Sequence, residues 1–174
     1  SRTGFIKIIN KMGANVKFVN KRYNYGELIA DVCVASQRKF KAIKCPIELN
    51  SNAIDEFLII FLIASKASGI SYFKKLEELN KKESPRLKLA SMILKKMGVK
   101  TVTSKDSIKI FGNPNLKVNK KILINNFYKD HRIFMSSVIA ALCFGGEWTI
   151  EDAESHMSSF PSFLRILRKI GYKF

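Results

Sequence analysis

The chain has 174 residues, of which 47% are hydrophobic and 26% charged, and this balance fits one globular domain with a hydrophobic core. The longest apolar run, residues 57–64, is too short to cross a bilayer, and the first residues lack the apolar stretch of a signal peptide. We therefore expect a soluble, cytoplasmic chain that forms one domain over residues 1–174.

The formal net charge of +17 points to an anionic partner such as nucleic acid. Lysine outnumbers arginine by 24 to 7, however, and the basic residues are scattered singly or in pairs. Scattered lysines usually form a solvated surface, whereas bidentate phosphate recognition favours the planar guanidinium of arginine. Nucleic acid is therefore a disfavoured partner, and a basic nucleic-acid-binding module remains the alternative hypothesis.

Hydrophobic periodicity and glycine positions predict helices and strands along the whole chain. In chain order they are a helix at 3–12, strands at 15–20, 29–35 and 40–47, a helix at 54–68, a strand at 70–73, a helix at 84–97, strands at 99–103 and 107–111, a helix at 131–144, a strand at 147–150, a helix ending at 170, and a strand at 172–174. Glycine follows each helix, as is typical of helix C-termini. The alternating strands 29–35 and 40–47 favour a mixed sheet beneath helices.

These elements form an internal repeat of strand, helix, strand, helix, strand and strand. The second helix of successive copies ends at Gly13, Gly98 and Gly171. The first copy begins at its second helix, so the chain contains about two and a half copies. We therefore expect a fragment or a naturally shortened protein.

Ionisable residues gather at the starts of three predicted helices. The groups are Asp55 with Glu56, Lys82 with Glu83 and Arg86, and Asp130 with His131 and Arg132. Free N–H groups and the positive end of the helix dipole make such places anion sites, where these side chains could hold a phosphorylated acid and move a proton on it. The alternative is that the aspartates are helix caps and that Glu83 and Arg86 form a surface pair.

Four segments occur in an order that resembles a known family. They are residues 54–56, residues 76–87 with Lys82-Glu83-Ser84-x-Arg86, residues 130–135 with Asp130-His131-Arg132, and residues 159–163 with a Ser-Phe-Pro sequence. Together they resemble the signatures of the enolpyruvylshikimate-phosphate synthases, or 3-phosphoshikimate 1-carboxyvinyltransferases. The resemblance covers essentially the whole chain.

The resemblance implies an α/β fold of the α+β type, in which repeated βαβαββ units pack their helices with mixed sheets. This chain would hold about two and a half of the three repeats of one enolpyruvyl-transferase domain, the C-terminal one. The family's active site lies in a cleft between two domains. The N-terminal domain would therefore be missing, or a separate complementary chain would supply it.

The implied reaction transfers a carboxyvinyl group from phosphoenolpyruvate to a hydroxyl of shikimate 3-phosphate, with no cofactor and no metal. By resemblance, Asp55 would take or orient the hydroxyl proton. Glu83 would donate a proton to the methylene carbon and later remove one. Lys82 would bind phosphoenolpyruvate and share in proton transfer.

The same resemblance implies the groups that bind substrate. Arg86 and Arg132 would grip phosphoenolpyruvate in a fork geometry that a lysine could not copy. Lys82 would add a third cation, and His131 would form a polar wall of the site.

Several positions depart from the family's pattern, including Asn80-Lys81 in place of the usual Arg-Val and three further positions. Pro85 stands where the family usually has an aspartate that could orient Arg86. Phe134 stands where a small residue is usual, and Ser158 stands where the family places a lysine. Weakened or lost activity is the expectation, and a non-functional remnant that keeps the fold is a further alternative.

The three cysteines, Cys33, Cys45 and Cys143, are odd in number and widely spaced among apolar neighbours. Neither histidine has a partner at metal-ligand spacing. We expect buried, reduced thiols.

Overall fold

The computed structural model describes residues 3–36 and 39–173. Helices and strands follow one another along this part of the chain in the order of the repeat. They are α1 (Gly4–Lys11), β1 (Asn15–Asn24), β2 (Glu27–Ala35), β3 (Phe40–Lys41), α2 (Phe57–Ser65), β4 (Ala67–Phe73), α3 (Arg86–Lys96), β5 (Thr101–Thr103), β6 (Ile108–Gly112), β7 (Lys121–Ile124), α4 (His131–Phe144), β8 (Glu147–Ile150) and α5 (Phe163–Lys169). Short 3₁₀ turns lie at Ile47–Leu49, Ser51–Ala53, Glu77–Lys81 and Ala153–Ser158.

The strands pair within the copies of the repeat. The middle copy has a mixed sheet of order β3-β4-β6-β5, in which β3 and β4 are parallel and the other pairs antiparallel. β7 and β8 are again parallel, so the third copy repeats the pairing of β3 with β4. β1 and β2 form an antiparallel hairpin that corresponds to β5 and β6. The expected mixed α/β architecture is therefore confirmed.

Most predicted elements are present, three differ, and β7 was not predicted. Only Phe40–Lys41 of the predicted strand 40–47 pairs continuously with β4. The pairing is interrupted at residues 42–43, resumes as a single bridge between Lys44 and Tyr72, and ends before the 3₁₀ turn that follows Pro46. Strand 29–35 lies in the separate β1–β2 hairpin, so its placement in a mixed sheet beneath helices was wrong. Residues 172–173 form no strand, and Phe174 lies outside the described residues.

Helix α2 is the centre of the core. Residues 57–64 are all apolar, and a helix that is apolar on every side belongs in an interior. It packs on α1, α3 and α4. Phe57, Phe61 and Phe73 pack with ring centroids 5.1–5.9 Å apart, and all three are buried.

Helices α2 and α4 run parallel. At their N-terminal ends the side chain of Arg132 contacts Asp55. At their C-terminal ends the Nζ of Lys66 lies 5.4 Å from the ring centroid of Phe144. Both helices therefore present their N-termini on the same side of the molecule.

The cysteines differ from one another in burial. Cys45 is buried, and burial together with the charge of Glu48 raises the pKa of its thiol to about 11. Cys33 and Cys143 are exposed, so the expectation of buried thiols was wrong for these two. Among the described residues, no helix combines the length and apolarity that crossing a membrane requires.

Truncating the central aromatic cluster tests this packing. We expect Phe61→Ala to lower the free energy of unfolding by about 3–5 kcal/mol, because a buried ring is lost and a cavity remains. Tyr25→Ala is the control, since that ring is fully exposed and its loss should change stability by less than about 0.5 kcal/mol. Urea unfolding measures both, and equal effects of the two substitutions would contradict the assigned core.

Candidate active site

Three helix starts converge on one cluster of charges. The residues before α2 contribute Asp55, the start of α3 contributes Glu83 and Arg86, and the start of α4 contributes Asp130 and Arg132. The sequence separates these groups by as much as 77 residues, and the shared direction of α2 and α4 brings them together.

Arg86 is the centre of this cluster. Its side chain is only 2% exposed. Its Nε donates to Asp130 Oδ2 at 2.9 Å, and its Nη2 lies 3.4 Å from Asp130 Oδ1. Nη2 also donates to Glu83, and Nη1 donates to Asp55 Oδ1 at 3.4 Å. Carboxylates from all three helix starts thus surround a buried guanidinium, as burial of a charge requires.

Asp130 joins this ion pair to the start of α4. Its Oδ1 accepts the backbone N–H of Arg132 at 2.9 Å, so the residue caps the helix. Its Oδ2 also accepts the hydroxyl of Ser84 at 2.7 Å. Burial alone would raise the pKa of Asp130, but hydrogen bonds from Arg86 and Ser84, the charge of Arg86 and the N–H of Arg132 hold it below its ordinary value.

Asp55 and Arg132 form the second contact between helix starts. Arg132 Nη1 donates to the backbone oxygen of Asp55 at 2.9 Å, and its Nη2 lies 3.7 Å from Asp55 Oδ2. The Arg132 side chain is 31% exposed, so part of its guanidinium faces solvent. Of the two predicted binding arginines, only Arg132 is open to a ligand in this arrangement.

Lys82 and Glu83 lie at the outer edge of the cluster. The Nζ of Lys82 is 2.9 Å from Glu78 and 3.8 Å from Asp55. The Glu83 side chain is 55% exposed although it pairs with buried Arg86. Glu83 is therefore the more exposed of the two, since the Lys82 side chain is 25% exposed.

His131 is the first residue of α4 and is half-buried. Its side chain has no hydrogen-bond or ion-pair partner within residues 3–36 and 39–173. The six predicted site residues thus lie on or next to three adjacent helix starts. A metal-binding group of three His, Cys, Asp or Glu side chains is not found in the described part of the chain.

Comparison with known proteins assigns this fold and motif set to a family. The family model for EPSP synthase (3-phosphoshikimate 1-carboxyvinyltransferase) matches residues 1–167. The chain belongs to the EPSP synthase family. It is 36% identical over 170 residues to the 3-phosphoshikimate 1-carboxyvinyltransferase of Thermodesulfovibrio yellowstonii, which covers 98% of this chain and 39% of that protein. For the enzyme of Ruthia magnifica the identity is 38% over 171 residues, with 98% and 38% covered.

Solved structures agree with the EPSP synthase assignment. The EPSP synthase of Acinetobacter baumannii superposes with a TM-score of 0.87 at 34% identity, over 97% of this chain and 38% of that one. The enolpyruvyl transferase NikO of Streptomyces tendae has a TM-score of 0.70 at 15% identity, which is a likeness of fold. The chain therefore has the enolpyruvyl transferase fold and spans about two fifths of the length of the relatives it matches.

The departures from the EPSP synthase pattern have local explanations. Pro85 directly precedes α3 and supplies no carboxylate, but Asp130 and Glu83 orient Arg86 instead. Phe134 is buried and stacks on His156 with ring centroids 5.5 Å apart, so its bulk is accommodated by packing. Ser158 is exposed, and its hydroxyl donates to the backbone oxygen of Ser155.

Sequence reasoning missed the partnership of Asp130 and Ser84 with Arg86. The sequence predicts Asp130 as part of an ionisable cluster or as a helix cap, and the structure confirms that cap. Its second role depends on contacts 44 and 46 residues apart, to Arg86 and Ser84. A signal was available, because a buried arginine needs a carboxylate and both residues lie inside the two signature motifs.

Replacing Asp130 tests the buried cluster. We expect Asp130→Asn to lower the free energy of unfolding at pH 7 by about 3–5 kcal/mol, since a buried charge loses its partner. The pKa of Asp130 is lowered by folding, so its stabilisation is complete above the ordinary value of 3.8 and is lost as pH falls below it. The difference in the free energy of unfolding between wild type and Asp130→Asn should therefore become smaller below about pH 4.

The matched control is Asp31→Asn, because Asp31 pairs with Arg22 at 3.4 Å on the surface. Such exposed pairs contribute about 0–1 kcal/mol. Urea unfolding at several pH values measures all three proteins. A loss for Asp130→Asn that matches the control, or that is independent of pH, would contradict this account.

Proposed function

We propose that this chain supplies one half of the active site of an enzyme that transfers a carboxyvinyl group from phosphoenolpyruvate to shikimate 3-phosphate. Membership of the EPSP synthase family supports the reaction class. The observation that carries the proposal is the convergence of the family's signature side chains on one end of three helices. The chain is one partial domain of the complete enzyme in this proposal.

The cations of the cluster are matched by its own carboxylates. Arg86 is held by Asp130 and Glu83, while Arg132 and Lys82 share Asp55. An anionic substrate therefore has to displace a carboxylate before it can bind the guanidinium of Arg86, whereas part of the Arg132 guanidinium already faces solvent. Glu83 is the carboxylate that can leave, because its side chain is half-exposed and the other two are buried or nearly so.

Displacement of Glu83 defines how phosphoenolpyruvate binds. Its departure from Arg86 Nη2 uncovers the outer edge of a guanidinium whose inner edge is fixed by Asp130. A substrate carboxylate fits that edge in the geometry that Glu83 uses. Arg132 and Lys82 flank the position and add the charge that the phosphate needs.

The same displacement places Glu83 beside the reacting carbons. In the addition step Asp55 accepts the proton of the attacking hydroxyl, the oxygen bonds to C2, and Glu83 gives a proton to the methylene carbon. In the elimination step Glu83 removes a proton from that carbon, the C2–O bond to phosphate breaks, and inorganic phosphate leaves with the proton that Asp55 had accepted. Lys82 stabilises the charge of the phosphate and lies near enough to Asp55 to assist its proton transfer.

The remaining contacts to both substrates come from polypeptide outside this stretch. The relatives are more than twice as long as this chain. An active site between two domains needs residues from both of them. The chain alone should bind phosphoenolpyruvate weakly and catalyse no measurable transfer. The proposal therefore predicts complementation rather than independent activity.

Binding by the chain alone tests the arginine geometry. We expect Arg132→Lys to weaken phosphoenolpyruvate binding by about tenfold, because an ammonium cannot form the two parallel hydrogen bonds of a guanidinium. Arg22→Lys, at a surface pair remote from the cluster, should leave the affinity unchanged. Isothermal titration calorimetry at low salt measures the affinity of each variant for phosphoenolpyruvate. An unchanged affinity of Arg132→Lys would show that Arg132 does not bind this substrate.

Complementation tests the acid–base role of Glu83. The chain is mixed with the part of the Thermodesulfovibrio yellowstonii relative that lies outside the matched stretch, and phosphate release is followed with both substrates. We expect turnover only in the mixture, and Glu83→Gln should lower it by about 10²–10⁴-fold. Glu77→Gln is the control, since Glu77 lies on the surface before the motif. Carboxyvinyl transfer by the purified chain alone, or full activity of Glu83→Gln, would refute the proposal.

A further inference from the structure

The middle sheet, β3-β4-β6-β5, turns one side to solvent. Residues that pair directly across two strands lie on the same side of a sheet, and successive residues of a strand alternate between sides. Tyr72 of β4 pairs with Lys109 of β6. Ile70 pairs with Phe111 on that same side, whereas Ile110 points the other way and is buried. Ile70 is 52% exposed, so the side that carries both aromatic rings is open.

Five exposed lysines lie on or beside this side of the sheet. Lys41 belongs to β3, and Lys44 forms a bridge to Tyr72, so both lie next to β4. We call the whole surface the lysine–aromatic face, and it comprises Tyr72, Phe111, Lys41, Lys44, Lys74, Lys100 and Lys109. Its lysines are scattered along the sequence, and strand pairing brings them together on one surface.

The strands of this face carry no carboxylate, because β3, β4, β5 and β6 contain neither Asp nor Glu. None of its five lysines forms an ion pair with another residue in 3–36 or 39–173. The other two copies differ. In the third copy Lys121 of β7 pairs with Glu147 of β8 at 3.3 Å, and in the first Arg22 pairs with Asp31 at 3.4 Å. The middle sheet therefore has an unbalanced positive field, which attracts a polyanion.

The aromatic rings of the face are in contact with its lysines. The Nζ atoms of Lys74 and Lys109 lie 4.8 and 5.1 Å from the ring centroid of Tyr72. The Nζ of Lys100 lies 4.8 Å from the ring centroid of Phe111. Stacking of a nucleobase on an aromatic ring is stronger than an exposed cation–π contact. A phosphate that draws an ammonium group aside would therefore free a ring on which a base can stack.

We propose that the lysine–aromatic face binds single-stranded nucleic acid. The lysines contact the phosphates, and Tyr72 and Phe111 each stack one base. The two rings are diagonal neighbours on adjacent strands, which places them about 7–8 Å apart and leaves room for a base on each. This binding function goes beyond the proposed transferase activity and uses none of the residues assigned to it.

The chemistry of the face favours a single strand over a duplex. A flat sheet has no element that enters a groove of a duplex, and the base faces of a duplex are already stacked on one another. Lysine is a point charge on a flexible stem and does not read base edges as the fork of an arginine does. We therefore expect binding that depends on the backbone charge and on stacking and that tolerates changes of base sequence.

Fluorescence anisotropy of the whole chain with labelled oligouridylate and oligothymidylate of about twelve nucleotides tests the proposal. Binding should weaken with salt, with a slope of log affinity against log salt concentration of about −3.5, or about −0.7 for each of five phosphate contacts. We expect Tyr72→Leu and Phe111→Leu each to weaken binding by about fivefold or more. Tyr25→Leu is the aromatic control, since that ring is fully exposed on the β1–β2 hairpin, and it should bind as wild type.

Lys109→Glu tests the charge of the face, and we expect it to weaken binding by about tenfold. Lys169→Glu, at the exposed end of α5, changes the net charge by the same amount and should have a much smaller effect. Circular dichroism and urea unfolding first show that each variant is folded. Lys41→Glu and Lys100→Glu, at exposed positions, replace any variant that is not.

Several results would overturn the proposal. They are no binding at low salt, equal losses for Lys109→Glu and Lys169→Glu, wild-type binding by both ring variants, and tighter binding of a duplex of the same length. Polyglutamate that binds with the same dependence on the rings would assign the face to an acidic peptide instead. Displacement of the oligonucleotide by phosphoenolpyruvate at matched ionic strength would place the binding in the candidate active site and also overturn it. Binding of either oligonucleotide with the expected losses supports the proposal, and the tighter of the two distinguishes RNA from DNA.

Discussion

The buried guanidinium of Arg86 is the constraint on which the rest of the site depends. A charge this deeply buried costs several kcal/mol unless carboxylates surround it. The carboxylates come from the starts of α2, α3 and α4, so the charge can be satisfied only when all three helices have the same end in the same place. Asp130 strengthens this requirement because it also caps α4. The ionic cluster thereby specifies how the helices are aligned, while the apolar faces supply most of the stabilisation.

This arrangement explains why one set of residues serves both folding and the proposed chemistry. Asp130 fixes the inner edge of Arg86 and is itself held by the Ser84 hydroxyl, and both residues are buried. Glu83 holds the outer edge and is half-exposed. In the proposed function a substrate carboxylate replaces Glu83 while Arg86 keeps its contacts with Asp130. The proposal thus assigns binding to the exposed outer side of an ion pair whose buried inner side aligns the helices.

The sequence predicted local features well and long-range ones poorly. Glycine after each helix and the apolar period gave α4 its correct ends, because both signals lie within a few residues. Strand 40–47 is interrupted after Lys41, where its pairing with β4 breaks before the Lys44–Tyr72 bridge, and the alternation of apolar residues along one segment carries no signal of that break. The link of Ser84 to Asp130 spans 46 residues, and the two motifs that contain them do not specify that these side chains meet. Cys33 lies on strand β2 of the β1–β2 hairpin, where it is exposed. Its apolar neighbours in sequence therefore predicted a burial that the described fold does not provide.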